Sequence, residues 1–265
     1  MQTAEATPQT GQKALTQTQI DRFWSDGFVK VGKVLTDAQL ELLRAEYDRT
    51  FDLARRGQIN FRNLSINNTD DLDEKNNASQ QMLQIMQMCE INIHFRRLVH
   101  DEQLLDLVED LIGPNIQLFH DQALYKPAYQ GGPVFWHQDN AYWKCAPANL
   151  VSIWLTLDDV DEQNGAMQFL PGSHLRPVGH AQAKISNALL DSGDQVDESQ
   201  KVVVDLPAGG VCLHHCQTLH HTAPNTTARQ RRAFAIHFMP PGTKSLRTNQ
   251  YLAVSFGRPL LRMRV

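Results

Sequence analysis

No apolar run in this chain approaches the roughly 20 residues that a membrane-crossing helix requires, so a membrane span is not expected. Charge of one sign is not in excess: 25 Lys and Arg stand against 29 Asp and Glu, a formal −4. That balance excludes the electrostatic case for nucleic acid or an anionic membrane surface as a partner. Cysteine is scarce, and Cys89, Cys145, Cys212 and Cys216 form no CxxC motif. A disulfide framework is therefore not expected, and a reducing, cytoplasmic setting is. Cys212 and Cys216 bracket His214 and His215, which leaves a small zinc site as an alternative. Internal repeats and low-complexity linkers are also missing. One domain over 1–265 is expected. Its first residues, 1–14, lack an apolar signal core and read as a flexible polar tail. No basic or aromatic stripe suggests a polymer, so a small-molecule ligand is expected for a monomer or homodimer.

What is present falls into two halves. The first is helical. Ile20, Phe23 and Trp24 recur at helical spacing and Gly27 stops the run. Phe28 to Val31 reads as a short strand. Thr36-Asp37-Ala38-Gln39 is a capping box before an amphipathic helix carrying Leu40, Leu43, Tyr47 and Phe51, ended by Gly57. The Asn- and Asp-rich stretch 59–77 reads as a loop and a candidate lid over a site. Residues 80–99 and 102–112 read as helices.

After Gly113-Pro114 the pattern becomes short strands: 116–125, 134–136, 150–157, 167–170, 202–206, 211–214 and 233–239. Gly131-Gly132-Pro133, Asn164-Gly165, Pro171-Gly172 and Gly209-Gly210 separate them, and Asn164-Gly165 is a hairpin signal. Strands after helices predict an α+β, mainly β chain: a double-stranded β-helix, or jelly roll, buttressed by N-terminal helices. The polar stretch 177–200 reads as an insertion loop bordering the site.

The chemistry is concentrated in His137-Gln138-Asp139, which follows the aromatic pair Phe135-Trp136. Alternate residues of an extended chain point to one side. His137 and Asp139 therefore aim an imidazole and a carboxylate at one point. A third ligand is available from His220 or His221. Two histidines and a carboxylate with the other positions open suit non-haem Fe(II). Strand parity adds a cavity: Ser152, Trp154 and Thr156 share one face, and Arg231, Ala233, Ala235 and His237 share another. Small alanines beside an arginine leave a void with a cation at its end, fit for an anionic cosubstrate. A structural salt bridge or solvent exposure is the other reading of Arg231.

Taken in order, Trp136-His137-Gln138-Asp139, then Asn164 to His174, then Leu219-His220 to Asn225 with Arg231-Arg232-Ala233, resemble the phytanoyl-CoA dioxygenase (PhyH-like) family. The resemblance implies an Fe(II)/2-oxoglutarate-dependent dioxygenase that uses O2. Most simply it would hydroxylate an unactivated C–H of a small molecule while 2-oxoglutarate becomes succinate and CO2. It implies that His137, Asp139 and His220 hold the metal and that Arg231 grips the distal carboxylate of 2-oxoglutarate. It places Gln122 and Trp154 beside that cosubstrate. Tyr142, Trp143 and His221 are the candidate substrate residues. Tyr125 is a weaker candidate, Lys126 reads as a surface or edge-strand residue, and Ser173 and His174 as turn supports. Thr222 and Ala223 depart from the family's usual Ser and Gly, as Gly210 does from a frequent Asp. Two rivals stand beside this reading: a jelly-roll binding protein without turnover, and a Zn-dependent hydrolase or isomerase built on the same three ligands.

Overall fold

Local signals set the helices, and pairing between distant segments sets the sheets. Both are seen in a computed structural model that describes residues 14–176 and 178–264. Of the tail expected at 1–14, all but Ala14 lies outside the described residues. Helix Gln17–Asp26 begins at a complete capping box on Thr16 and ends at Gly27, whose φ of 87° is left-handed. A side chain at Gly27 is excluded twice over. Its Cβ would lie 2.3 Å from Thr218 Oγ1 and 2.6 Å from His174 Nδ1. Helix Asp37–Arg55 starts at the expected box on Thr36 and Gln39 and buries Leu40, Leu43, Tyr47 and Phe51.

The larger sheet is antiparallel. Its strands run in the order Phe28–Lys33, Gly210–His215, Val151–Thr156, Arg231–Met239, Ile116–Lys126, Leu83–Met86, Arg62–Asn63, with Leu260–Arg262 also against Ile116–Lys126. Parity assigns its faces as expected. Val151, Ile153, Leu155, Phe234, Ile236 and Phe238 pack against the helices. Phe234 is fully buried there. Truncating such a side chain costs about 3–5 kcal/mol. The opposite face carries Trp154, Cys212, Ala233 and Ala235 and packs on the smaller sheet. That sheet runs Val202–Val204, Met167–Phe169, His220–Thr222, Val134–His137, again antiparallel. Phe28 stacks on Phe169 across the gap at 4.5 Å. The space between the sheets is thus filled with apolar side chains at one end and opens into a cavity at the other.

Four expectations are corrected. Residues 80–99 are not one helix: Leu83–Met86 is a strand, and helices Met88–Ile91 and Ile93–Val99 follow it. Leu83 and Ile85 face the core while Gln84 and Met86 face the cavity, a period of two hidden in a methionine-rich run. Asn164-Gly165 does not close a hairpin, because strands Val151–Thr156 and Met167–Phe169 belong to different sheets. Asn164 is buried instead, its amide bonded to Asp161 N and Asp159 O, and it turns the crossover. The 59–77 loop contains strand Arg62–Asn63 and helix Leu72–Asn77. The 177–200 insertion contains a short strand pair, Ala181–Gln182 with Leu190–Asp191. It docks on the site through Ser192 N to Trp136 O (2.8 Å) and Gln138 N to His180 Nε2 (2.9 Å).

Asp121 sits on the helix-facing side of its strand, fully buried, with Oδ1 accepting from Cys89 N at 3.0 Å. Burial pushes its carboxyl up to about 6. The folded chain therefore binds this proton more tightly than the unfolded chain. Its contribution to stability is full below the ordinary value near 4 and is lost as pH rises through about 6. Asp121→Asn is expected to raise stability at pH 8 by about 2–3 kcal/mol. The gain should vanish below pH 4. Urea unfolding of both proteins at the two pH values measures it, and an equal gap at both would refute the assignment.

Candidate metal centre and cavity

The smaller sheet brings the three ligands together. Strand Val134–His137 ends at His137, Gln138 remains extended, and Asp139 opens the short helix Asp139–Trp143. His220 opens strand His220–Thr222 and lies directly opposite His137 in the ladder. One donor atom from each of His137, Asp139 and His220 falls within 4.8 Å of the others, and all three residues are buried. His221, the next residue, is turned differently. Its Nε2 contacts Gln168 Oε1 at 2.9 Å, and its ring stacks on Trp136 at 4.2 Å.

Hydrogen bonds set the tautomers. His137 Nδ1 donates to Phe135 O (2.7 Å) and His220 Nδ1 donates to Thr218 O (2.9 Å), since a carbonyl only accepts. Each ring in its neutral form therefore presents a bare Nε2. These nitrogens lie 3.7 and 3.6 Å from Asp139 Oδ1, too far for hydrogen bonds. Burial holds the His220 imidazole well below its ordinary value, and hence neutral. Burial works to raise Asp139, but the imidazoles around it, with His214 Nε2 donating to Oδ2 at 3.1 Å, hold the carboxyl well below the usual range. Two lone pairs and one negative charge thus converge on a single buried point. That arrangement is unfavourable unless a cation occupies the point, so the donor set fits a divalent ion with open positions.

The ligands face a cavity of about 270 Å³ between the sheets. Arg231 lines it, fully buried, with Nη1 on Leu124 O at 3.0 Å, Nη2 3.8 Å from Met82 Sδ and Nε without a partner among the described residues. No ion pair to Arg231 exists among the described residues, so neither alternative for it, a salt bridge or solvent exposure, is found. Its guanidinium carbon stands 5.7 Å from the Trp154 ring centre, and Trp154 lines the same cavity. Thr222, also in the lining, carries a buried hydroxyl without a partner among the described residues. Lys126 is corrected: it is fully buried, its Nζ donating to Ala223 O (2.5 Å) and Thr222 O (3.3 Å). Tyr125 faces the helices, its hydroxyl donating to Gln230 Oε1 at 3.0 Å.

Gln122, Tyr142, Trp143 and His221 all reach the cavity. Tyr142 also accepts from Leu190 N at 2.5 Å, which seats the insertion over the site. Sequence reasoning had assigned no role at this site to Met82, Ser152, His214 or His237, although Met82, His214 and His237 line the cavity. Parity had already put Ser152 beside Trp154 and His237 beside Arg231 on the faces read as cavity-facing. Their partners were invisible because these come from other strands. The alternative zinc site is not assembled. Cys212 packs with Trp154 and Ala235, whereas Cys216 packs in a separate cluster with Cys145 and Leu150. Among the described residues the group able to hold a metal ion is His137, Asp139 and His220.

Comparison with known proteins agrees with this geometry. The family model for phytanoyl-CoA dioxygenase (PhyH) matches residues 23–233. The "Probable alpha-ketoglutarate-dependent hypophosphite dioxygenase" of Stutzerimonas stutzeri is 31% identical, over 83% of this chain and 73% of that protein. Among solved structures, the non-haem monooxygenase ThoJ is 25% identical with a TM-score of 0.72, covering 93% of this chain and 84% of its own. The epimerase SnoN, solved with Fe3+, alpha-ketoglutarate and nogalamycin RO, shares the fold: 21% identity, TM-score 0.73, over 93% of this chain and 98% of its own. A family match across most of the chain, joined to a convergent His-Asp-His set, places this protein in the phytanoyl-CoA dioxygenase (PhyH) family, as an Fe(II)/2-oxoglutarate-dependent dioxygenase.

Proposed function

We propose that this dioxygenase hydroxylates an unactivated C–H bond of a small molecule while 2-oxoglutarate is decarboxylated to succinate and CO2. The reading is carried by the placement of a buried, unpaired Arg231 in the cavity that His137, Asp139 and His220 face. In it, His137, Asp139 and His220 hold Fe(II), which when bound supplies the O2 chemistry that no side chain can. Arg231 takes the distal carboxylate of 2-oxoglutarate as a paired guanidinium–carboxylate contact. The unpartnered Thr222 hydroxyl is a second donor there, and Trp154 is the flat wall beside it. Gln122 borders the cosubstrate from Ile116–Lys126.

Tyr142, Trp143 and His221 form the substrate side, closed by Leu64, Met86 and Leu189, whose apolar surfaces exclude water from the reaction. Asp139 matters to the outcome. A carboxylate at this position occupies the place that a small residue would leave for a halide, which supports hydroxylation over halogenation. We also read the two sheets as a double-stranded β-helix within one domain. Four free, buried thiols suit a cytoplasmic setting, and a monomer or homodimer is the expected assembly.

The test is anaerobic reconstitution with Fe(II) followed by O2, with succinate and O2 uptake measured together. Succinate formation that needs both Fe(II) and 2-oxoglutarate is expected, accelerated by the true substrate in a small-molecule screen. Catalysis sustained equally by Zn(II) without 2-oxoglutarate would instead establish the hydrolase rival, and binding without succinate would establish the non-catalytic one.

A further inference from the structure

The carboxylate oxygen of Asp139 that turns away from His137 and His220 is the end of a hydrogen-bonded chain. Asp139 Oδ2 lies 3.3 Å from Ser152 Oγ and 3.1 Å from His214 Nε2. Ser152 Oγ lies 2.7 Å from His237 Nδ1, and His237 Nε2 lies 2.9 Å from Gln122 Nε2. Gln122 Oε1 accepts from Gln84 Nε2 at 2.5 Å. Ser152, His214 and His237 are buried, and Gln84 and Gln122 line the cavity.

The negative charge gives this chain one direction. An ionised carboxylate only accepts, so Ser152 must donate to it and accept from His237 Nδ1–H. His237 Nε2 is then bare and accepts from the Gln122 amide, which in turn accepts from Gln84. The reversed chain would point Ser152 lone pairs at the carboxylate, so it is disfavoured. His214 adds a second donor on Oδ2. With Oδ2 occupied twice, Oδ1 alone is left for the metal. The same polarity leaves Gln84 Oε1 at the open end as an acceptor without a donor among the described residues.

We propose that Ser152 and His237 are positioning residues that hold Asp139 as a one-oxygen ligand through this one-directional relay, with Gln84 as its cavity-facing end. The proposal rests on the metal-holding role given above to His137, Asp139 and His220. Supporting groups that orient a metal ligand commonly change metal affinity by about 10–100-fold when removed, and a relay in series makes its members non-additive.

The test is Co(II) titration of the metal-free full-length protein, followed by calorimetry and by the visible spectrum. Ser152→Ala and His237→Leu are each expected to weaken Co(II) by about tenfold or more. They should also weaken the visible bands as Asp139 swings to two-oxygen binding. The double variant should lose no more than Ser152→Ala alone. His237→Gln, which keeps an N–H donor, should recover most of the loss, and that rescue separates the relay from a folding defect. Wild-type Co(II) affinity in Ser152→Ala, additive losses in the double variant, or no rescue by His237→Gln overturns the proposal. Failure of the metal site itself shows differently: the wild-type protein would then not bind Co(II), or would bind it equally with His220→Ala.

Discussion

His220→Ala is expected to weaken Fe(II) or Co(II) binding by roughly 100- to 1000-fold and to abolish succinate formation at ordinary metal concentrations. A closed four-ligand zinc site gains about 10–16 kcal/mol, or about 2.5–4 kcal/mol per ligand, and each 1.4 kcal/mol is about tenfold. His220 is a costly ligand to lose because nothing replaces it. Its neighbour His221 is stacked on Trp136 and tied to Gln168 on another side of the strand. His221→Ala is therefore the matched control, expected to keep metal affinity within a few-fold. The metal-free His220→Ala protein should unfold at nearly the wild-type temperature, because the removed ring relieves a crowding of lone pairs around Asp139. Calorimetric titration measures both variants. Equal loss in the two would mean that the ligand had been assigned to the wrong ring.

Arg231→Met is expected to move two quantities in opposite directions. The guanidinium is fully buried, and among the described residues it meets one carbonyl and a thioether but no carboxylate. Burial lowers it to about 10, so it stays charged at neutral pH. A buried charge without its counter-ion is a standing cost to the empty protein. Methionine of similar length should leave the empty protein as stable as wild type or more so. For 2-oxoglutarate the sign reverses. Truncating one partner of a buried, hydrogen-bonded charge pair costs about 2–5 kcal/mol, roughly a 30- to several-thousand-fold loss of affinity. Thermal unfolding with and without 2-oxoglutarate shows both effects, since a ligand that binds only the folded state raises the transition. In wild type the cosubstrate should raise it; in Arg231→Met the shift should disappear. A full shift in the variant would remove Arg231 from the cosubstrate site. Lys126 is not a substitute cation, because burial and the nearby Arg231 push its amino group well below the ordinary lysine value, and Nζ is held by Thr222 O and Ala223 O at the end of the strand that bears His220.

Much of this protein is written in short-range pattern. Capping boxes at Thr16 and Thr36, the alternation that separates Val151, Ile153 and Leu155 from Ser152 and Trp154, and the His-x-Asp spacing need only neighbours a few residues away. Family resemblance rests on the same local motifs. What the chain could not disclose by itself was which distant segments would lie side by side. Leu83–Met86 becomes a strand because Ile116–Lys126 offers it a partner, and without that partner its apolar residues suit a helix equally well. His220 rather than His221 meets the metal site because the ladder sets it opposite His137. The chain from Gln84 to Asp139 draws its members from four strands and a helix start, so no spacing in the sequence encodes it. Side-chain direction follows from backbone geometry within a few residues, whereas neighbourhood across a sheet is decided only when the whole chain closes on its core.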